Sequence, residues 1–331
     1  MAHETTTLFA LDQTTQQTLA LAVTLNILAG THEERRFPDG EFKLRPTSDP
    51  LGTHAVVLAS LNGVDRSLSP HDRLCRLLFM TATLLDHGAC RVSLAIPYLI
   101  YLRKDRRTQP LDPASFRYLA QCIEASGACA LATLEPHNPA AFDCGLRMRA
   151  LAISSHALLL DTVLDVMQHQ TSQGFSQNDG VDMGWTVVSP DLGGAKRAQA
   201  WCDAIEARGM TGSLLAVFNK RRAGGVLTAS REVWGDVLDR HVLLIDDLIG
   251  SGRTLLSAAQ AVKQAGARRV LACVAHGFFE GDALARLMDS PIECLIVSDS
   301  TGWIPPNPET ASRIRCVSAH TSLVRSLIAH R

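Results

Sequence analysis

Two adjacent carboxylates, Asp246 and Asp247, follow the apolar run HVLLI. A turn of small and polar residues follows at the start of an amphipathic stretch. Its residues are Gly250, Ser251, Gly252, Arg253 and Thr254. Glycines let backbone N–H groups approach a phosphate, and a helix N-terminus adds partial positive charge. Acids at a strand end can accept hydrogen bonds from vicinal sugar hydroxyls. The segment predicts a site for a phosphorylated sugar, although a strand ending in solvated acids before a helix gives the same pattern.

A second turn with chemical potential lies within VSPDLGGAKRA, residues 188–198. Asp191 follows a predicted strand and is suited to ligating Mg²⁺, a cation that prefers carboxylate oxygens. Gly193 and Gly194 can expose backbone N–H groups at the start of a helix. This segment therefore predicts a metal and phosphate site at a strand end.

A third segment, FNKRRAGG at 218–225, is strongly basic and ends in two glycines. Phosphoryl-type transfer needs charge neutralisation in the transition state, which lysine and arginine supply. This basic run includes Lys220 and Arg222. The glycines favour a mobile lid that closes over the substrate, and the alternative is a solvated hairpin tip.

Short apolar runs alternate with amphipathic stretches along the chain, which predicts α/β architecture with largely parallel sheets. The predicted strands are 54–60, 91–96, 129–134, 185–189, 213–217, 241–245, 269–275 and 293–297, and the predicted helices include 70–86, 195–207 and 254–264. The polar, glycine-containing stretch 168–184 is typical of a loop or linker. It favours two α/β halves of similar size, without a sequence repeat.

Composition restricts the class of function. The 331 residues carry 32 basic and 33 acidic side chains, so no net charge attracts nucleic acid or an anionic membrane. Nine cysteines without metal-binding spacing are expected to be reduced and mostly buried thiols. The beginning of the chain lacks a signal-peptide pattern, and no stretch approaches the roughly 20 apolar residues that span a bilayer. A cytoplasmic protein is expected.

The segment 246–254 resembles the PRPP-binding loop shared by type I phosphoribosyltransferases and PRPP synthetases. Gly250 stands where that loop has a third acidic residue, and Arg253 where it has a second glycine. Further segments resemble the PRPP synthetase (ribose-phosphate pyrophosphokinase) family and occur in its order: 36–41, 96–107, 135–137, 188–198 and 218–225. Three of them differ from it at single positions, with Lys104 for Gln, Glu135 for Asp and Asn219 for Asp.

The resemblance implies a role for each candidate residue. Implied ATP-binding residues are Phe37, Asp39, Glu41, Arg103 and Lys104, the first three serving the site of a neighbouring subunit. Implied ribose 5-phosphate ligands are Asp246, Asp247, Gly250, Ser251, Gly252, Arg253 and Thr254. His137 and Asp191 are the implied metal ligands, and His137 joins Lys220 and Arg222 as a catalytic residue.

The resemblance also implies a fold of two doubly wound, type I phosphoribosyltransferase-like domains. These are an ATP-side domain at 1–150, a ribose 5-phosphate-side domain at 151–303, and a terminal segment, 304–331, that packs back on the first. The implied reaction moves pyrophosphate from ATP to C1 of ribose 5-phosphate between the domains, with Mg²⁺, giving PRPP and AMP for nucleotide biosynthesis. A homo-oligomer, dimer or hexamer, is implied. The alternatives are a non-catalytic regulatory paralogue and a phosphoribosyltransferase that uses PRPP.

Overall fold

A computed structural model describes residues 5–63, 65, 67–172, 184–210, 212–223 and 226–329. The chain forms two compact units. The first comprises Met1–Ser154, Ser300–Gly302 and Ser318–Arg331, and the second comprises Ser155–Asp299 and Trp303–Val317. None of the described helices is both long and apolar enough to cross a bilayer.

The described elements alternate along the chain. In the first half they are β1 (Thr6–Ala10), α1 (Thr15–Leu25), β2 (Leu28–Ala29), β3 (His32–Arg36), β4 (Phe42–Pro46), β5 (His54–Leu58), α2 (Pro70–Asp86), β6 (Arg91–Ile96), α3 (Ser115–Ala125), β7 (Ala130–Leu134), α4 (Pro139–Gly145), β8 (Arg149–Ile153) and α5 (Ser155–Ser172). In the second half they are β9 (Trp185–Ser189), α6 (Ala195–Glu206), β10 (Leu214–Ala223), β11 (Val226–Trp234), β12 (His241–Ile249), α7 (Arg253–Gln264), β13 (Arg269–Gly277), α8 (Ala283–Met288), β14 (Cys294–Ser298), α9 (Pro308–Arg313), β15 (Ile314–Val317) and α10 (His320–Ala329).

The first unit contains a six-stranded parallel sheet in the order β2-β1-β5-β6-β7-β8. Along β6, Val92, Leu94 and Ile96 share a core cluster with side chains of α2, while Ser93 and Ala95 are buried on the other face. Burial on both faces explains the continuous apolar runs that predicted these strands. Strands β3 and β4 form a separate antiparallel pair.

The second unit contains a seven-stranded sheet in the order β11-β10-β9-β12-β13-β14-β15, parallel except for the β10–β11 pair. The two faces of β12 enter different cores, because successive side chains of a strand point in opposite directions. Val242 and Leu244 pack with residues of α7, whereas Leu243 and Ile245 pack with residues of α5 and α6. The central position of β12 thus fixes where its acidic end lies.

The predicted α/β class with largely parallel sheets is confirmed. Helix α2 begins and ends where its pattern predicted, because Pro70 occupies the first turn and Ser69 forms a reciprocal capping box with Asp72. Strands β1, β2, β3, β4, β8, β11 and β15 were missed. Several of them are short or exposed, and β3, with the sequence HEERR, lacks the apolar run of a buried strand.

The structure corrects several local interpretations. Residues 168–172 belong to α5 rather than to a linker, and 173–183 lie outside the described residues. Segment 303–317 belongs to the second unit, where β15 pairs with β14, while α10 packs on β6 and β7 of the first unit. The cysteines are not mostly buried, since five are exposed: Cys75, Cys90, Cys122, Cys129 and Cys144. All nine are free thiols.

Candidate active site

The acidic pair lies at the C-terminal end of β12. Both side chains are largely buried, with 23% of the Asp246 side chain and 9% of the Asp247 side chain exposed. The Asp247 N–H donates to Asp246 Oδ1 at 2.9 Å. Arg197 on α6 places its guanidinium nitrogens 4.0 Å from Asp246 Oδ1 and 3.9 Å from Asp247 Oδ2. Because α6 follows β9, the strand beside β12, the sheet order brings this arginine to the acids.

The electrostatic environment of the two acids differs from that of ordinary surface carboxylates. Burial, and then the charge of Asp247, raises the pKa of Asp246 to about 7, while Arg197 acts in the opposite direction. Near neutral pH the pair therefore holds a proton for part of the time. Such a pair can both accept from and donate to a sugar hydroxyl. Arg197 was not among the predicted site residues, although the segment that contains it was singled out.

The glycine turn after β12 is open to a phosphate. Gly252 has φ +74°, a conformation that only glycine adopts without strain, and it precedes α7 without a capping side chain. The first N–H groups of this 12-residue helix thus face the turn. Of the predicted ligands here, Gly250, Ser251 and Thr254 are partly exposed, Gly252 is buried and Arg253 is exposed.

Neighbouring segments support this turn through main-chain contacts. Glu280 N–H donates to Gly250 O at 3.0 Å, and Arg286 Nη2 donates to Ser251 O at 2.8 Å. Arg286 also forms a 2.8 Å ion pair with Asp282. Neither Glu280 nor Arg286 carried a signal in the sequence, because each is about 30 residues from the turn and reaches it through the β12–β13 pairing.

The turn after β9 is built around Asp191. Gly194 N–H donates to Asp191 Oδ1 at 3.2 Å, and the Ser189 hydroxyl donates to Asp191 O at 2.6 Å. A Cβ on residue 194 would lie 2.4 Å from Ser189 Oγ, so only glycine fits there. Since β9 and β12 are adjacent and parallel, Asp191 and the acidic pair lie at the same edge of one sheet.

The basic segment 218–223 was predicted to be a mobile loop, with a hairpin tip as the alternative. It belongs to strand β10 of the β10–β11 hairpin. Lys220 is opposite Arg231, and Arg222 is opposite Leu227. Their side chains, and residues 224–225, lie outside the described residues. Strand β10 leaves β9 after Val217, which pairs with Ser189. Lys220 follows three residues later, roughly 10 Å further along the strand at about 3.3 Å per residue, beyond the edge that carries Asp191.

In the first unit, the ends of two adjacent strands bring other candidates together. Arg103 and Lys104 lie in a short 3-10 helix after β6, and exposed His137 follows β7. Asn138 Nδ2 donates to Asp105 Oδ2 at 2.7 Å and ties these two segments to each other. The structure thus groups Arg103, Lys104 and His137 at one edge of the first sheet.

The remaining candidates, Phe37, Asp39 and Glu41, form the tip of the β3–β4 hairpin. Phe37 N–H donates to Glu41 O at 2.8 Å, and Glu41 N–H donates to Asp39 Oδ1 at 3.0 Å. Gly40 adopts φ +93°, as the predicted turn requires. The Arg35 guanidinium carbon lies 5.2 Å from the centre of the Phe37 ring.

A largely buried ionic cluster joins this hairpin to α2. Arg76 Nη2 lies 2.6 Å from Glu34 Oε2 on β3, and Arg73 Nη1 lies 2.5 Å from Asp12 Oδ1. Arg76 Nη1 also contacts Asp12 Oδ1 at 3.1 Å. The cluster fixes the base of the hairpin, and sequence reasoning missed it because its four members come from three separate segments.

The carboxylates suit a hard cation, but the protein alone does not surround one. Within the described ranges, no three histidine, cysteine or acidic side chains form a metal-binding group. Mg²⁺ is commonly held by one or two carboxylates together with substrate phosphates, so Asp191 fits that mode of binding. The joint role of His137 and Asp191 stays a prediction, and these residues belong to different units.

Comparisons with known proteins agree with the fold and with the order of the segments. Residues 6–127 match the N-terminal domain of ribose phosphate pyrophosphokinase, and residues 228–330 match the phosphoribosyl synthetase-associated domain. The chain is 32% identical over 299 residues to ribose-phosphate pyrophosphokinase of Clostridium perfringens, covering 90% of this chain and 86% of that one. It is 31% identical over 303 residues to ribose-phosphate pyrophosphokinase of Agrobacterium fabrum, covering 90% and 88%.

Among solved structures, phosphoribosylpyrophosphate synthetase from Mycobacterium smegmatis matches with a TM-score of 0.79 at 23% identity over 98% of both chains. This match and the sheet topology define an α/β protein of the type I phosphoribosyltransferase-like class. The sequence relatives are more specific. The chain belongs to the ribose-phosphate pyrophosphokinase family.

Proposed function

We propose that this protein is a ribose-phosphate pyrophosphokinase that transfers the pyrophosphoryl group of ATP to C1 of ribose 5-phosphate. The products are PRPP and AMP, and the reaction supplies nucleotide biosynthesis. The observation that carries the proposal is the pairing of two turns at one sheet edge: the acidic pair with its glycine turn after β12, and the Asp191 turn after β9. The two relatives described above are named for this activity, as ribose-phosphate pyrophosphokinases.

The sugar phosphate has a natural orientation on the first of these turns. Asp246 and Asp247 would accept hydrogen bonds from its hydroxyls, and the open N-terminus of α7 would receive its 5-phosphate. Ser251 and Thr254 add hydroxyl groups at the same place, and Arg253 adds a positive charge. A sugar phosphate bound in this way would leave its C1 hydroxyl free to react with ATP.

Arg103 and Lys104 would serve as cations for the phosphates of ATP, with His137 beside them. Phe37 would pack on the adenine of a neighbouring subunit, and Asp39 and Glu41 would bind the same nucleotide. The chain would therefore act as a homo-oligomer. Substrates of this kind, together with the free thiols, support a cytoplasmic location.

Catalysis requires neutralising charge on the transferred group while the C1 oxygen attacks the β-phosphorus and AMP leaves. Lys220 and Arg222 would supply that charge from the β10–β11 hairpin. Asp191, with His137, would hold Mg²⁺, which would supply positive charge to offset the negative charge of the phosphates. The hairpin would also shield the reacting phosphates from water.

The test is AMP formation from ATP with and without ribose 5-phosphate, with and without Mg²⁺, on the purified full chain. We expect formation only with the sugar phosphate and the metal. Lys220→Ala should lower kcat by about 100-fold or more and leave the ribose 5-phosphate dissociation constant nearly unchanged. Arg221→Ala is the control because it removes the same charge from the adjacent position.

Three outcomes would contradict the proposal. Sugar-independent AMP formation would indicate simple hydrolysis, and PRPP consumption with a base would indicate a phosphoribosyltransferase. Tight nucleotide binding without turnover would indicate the non-catalytic regulatory paralogue. Gly250 and Arg253, which differ from the family loop, favour that alternative. A fully active monomer in light scattering would remove Phe37, Asp39 and Glu41 from the ATP site.

A further inference from the structure

The carboxylate of Glu280 lies directly against the glycine turn. A Cβ atom built on Gly250 would be 3.5 Å from the carboxyl carbon and from Oε2 of Glu280, and 3.6 Å from Oε1. Glu280 itself is exposed on its other side. The carboxylate therefore lies within van der Waals contact of the position that a side chain at residue 250 would take, next to the site proposed for the sugar phosphate.

The main chain holds Glu280 in this place. Strands β12 and β13 pair as far as Ile249 and Gly277, and the contact continues beyond them. Phe278 N–H donates to Ile249 O at 2.9 Å, and Glu280 N–H donates to Gly250 O at 3.0 Å. The position of Glu280 is thus tied to the turn rather than to a mobile surface segment.

The residue before Glu280 has a strained backbone conformation. Phe279 has φ +48°, in the left-handed region, which disfavours a non-glycine residue by about 1–2 kcal/mol. Its buried ring packs on Trp303 with ring centres 4.2 Å apart, and this packing offsets the strain. Strain of this kind that is kept in place by packing is characteristic of functional positions.

Charge limits what this carboxylate can bind. It would repel the phosphate of a ligand on the turn, so its partner must be a hydrogen-bond donor. The nearby Arg286 already pairs with Asp282 and donates to Ser251 O. Glu280 stands beside the turn that joins the acidic pair to the N-terminus of α7, where the sugar ring of a bound sugar phosphate would lie.

We propose that Glu280 is a specificity residue that accepts a hydrogen bond from a hydroxyl of the sugar phosphate. The inference rests on the proposed function for the identity of that ligand. It also accounts for Gly250, which stands where the family resemblance implies an acid: the carboxylate comes instead from the segment that follows the neighbouring strand β13. The residue would distinguish a sugar phosphate from other phosphates.

The first experiment is isothermal titration calorimetry of the full chain with ribose 5-phosphate and, separately, with inorganic phosphate. Glu280→Ala should weaken ribose 5-phosphate binding by about 10- to 100-fold, the loss expected for a hydrogen bond to a charged group. The same variant should bind inorganic phosphate as well as the parent does, or better, because a negative charge has been removed. Glu309→Ala, which removes an exposed acid of the same unit, is the matched control.

The proposed contact predicts opposite changes in the affinities for ribose 5-phosphate and inorganic phosphate, whereas a purely structural role of Glu280 would change both affinities alike. Equal losses for both ligands would mean that Glu280 only supports the turn, and unchanged ribose 5-phosphate affinity would mean that it makes no contact. Either result overturns the proposal. AMP formation by the parent is measured in parallel: if the parent turns over normally, such a result removes only the Glu280 role. A parent that neither binds ribose 5-phosphate nor forms AMP removes the proposed function itself.

The second experiment moves the carboxylate back to the turn. Gly250 is not among the residues with positive φ, and a Cβ there meets only ordinary contacts, so Gly250→Asp is tolerated by the backbone. Added to Glu280→Ala, it should recover at least about 10-fold of the lost ribose 5-phosphate affinity. Added to the parent, it should weaken binding, because two carboxylates then face each other. A double variant as weak as Glu280→Ala alone contradicts the placement.

Discussion

Replacing Asp246 with asparagine should stabilise the ligand-free protein, by an amount that grows as the pH rises. Burial and the charge of Asp247 raise the pKa of the Asp246 carboxyl from 3.8 to about 7. Between those values the folded state binds a proton that the unfolded chain has lost, so this carboxyl makes folding less favourable as the pH rises. Asparagine keeps the shape of the side chain and has no such ionisation.

The magnitude follows from the pKa change. At about 1.4 kcal/mol for each pKa unit, the gain in the free energy of unfolding from Asp246→Asn has an upper limit of roughly 4 kcal/mol above pH 7. Part of it is already present near pH 5, because the unfolded carboxyl ionises first. The advantage of the variant should therefore increase by roughly 2 to 3 kcal/mol between about pH 5 and about pH 8.5. For a unit of this size that corresponds to a growth in the Tm difference of about 4–10 °C.

Calorimetric unfolding of parent and variant across this pH range measures the effect. Asp289→Asn, which makes the same carboxyl-to-amide change at an exposed acid of the same unit, is the control. A constant Tm advantage for Asp246→Asn, or a loss of stability at high pH, would refute the assignment of a raised pKa. Ribose 5-phosphate binding should be weaker in the variant above about pH 7, where the parent carboxyl is ionised, since asparagine offers one acceptor oxygen instead of two.

Other predictions test the same unit. Arg197→Gln should raise the KM for ribose 5-phosphate by about 10-fold near neutral pH, and the deficit should shrink at higher pH, where the acidic pair ionises without help. Gly194→Ala should lower the free energy of unfolding by about 1–3 kcal/mol, and Ser189→Ala in the same chain should recover part of that loss in thermal unfolding, because the clash is with the serine hydroxyl. Arg253→Gly should raise the KM for ribose 5-phosphate by about 10-fold if its guanidinium binds the 5-phosphate, and an unchanged or lower KM in a titration at fixed ATP rules that role out.

Much of the fold could be read from local sequence. Strands β6 and β9 and helix α2 have their predicted bounds, because buried strands carry continuous apolar runs and α2 carries a complete capping box. The hairpin strand β10 was not predicted beyond Val217. Lys220 and Arg222 lie in a basic stretch without apolar alternation, and only pairing with β11 makes that stretch extended.

Local sequence indicated which turns could carry chemistry, because the acids and glycines of the β12 and β9 turns are close together in the chain and their conformations follow from residues a few positions apart. What surrounds those turns depends on the tertiary fold. Arg197 and Glu280 come from segments about 50 and 30 residues away from the acidic pair, and parallel pairing with β9 and β13 brings them there. The raised pKa of Asp246 has the same origin, because it depends on burial between packed strands and helices, which no local pattern specifies.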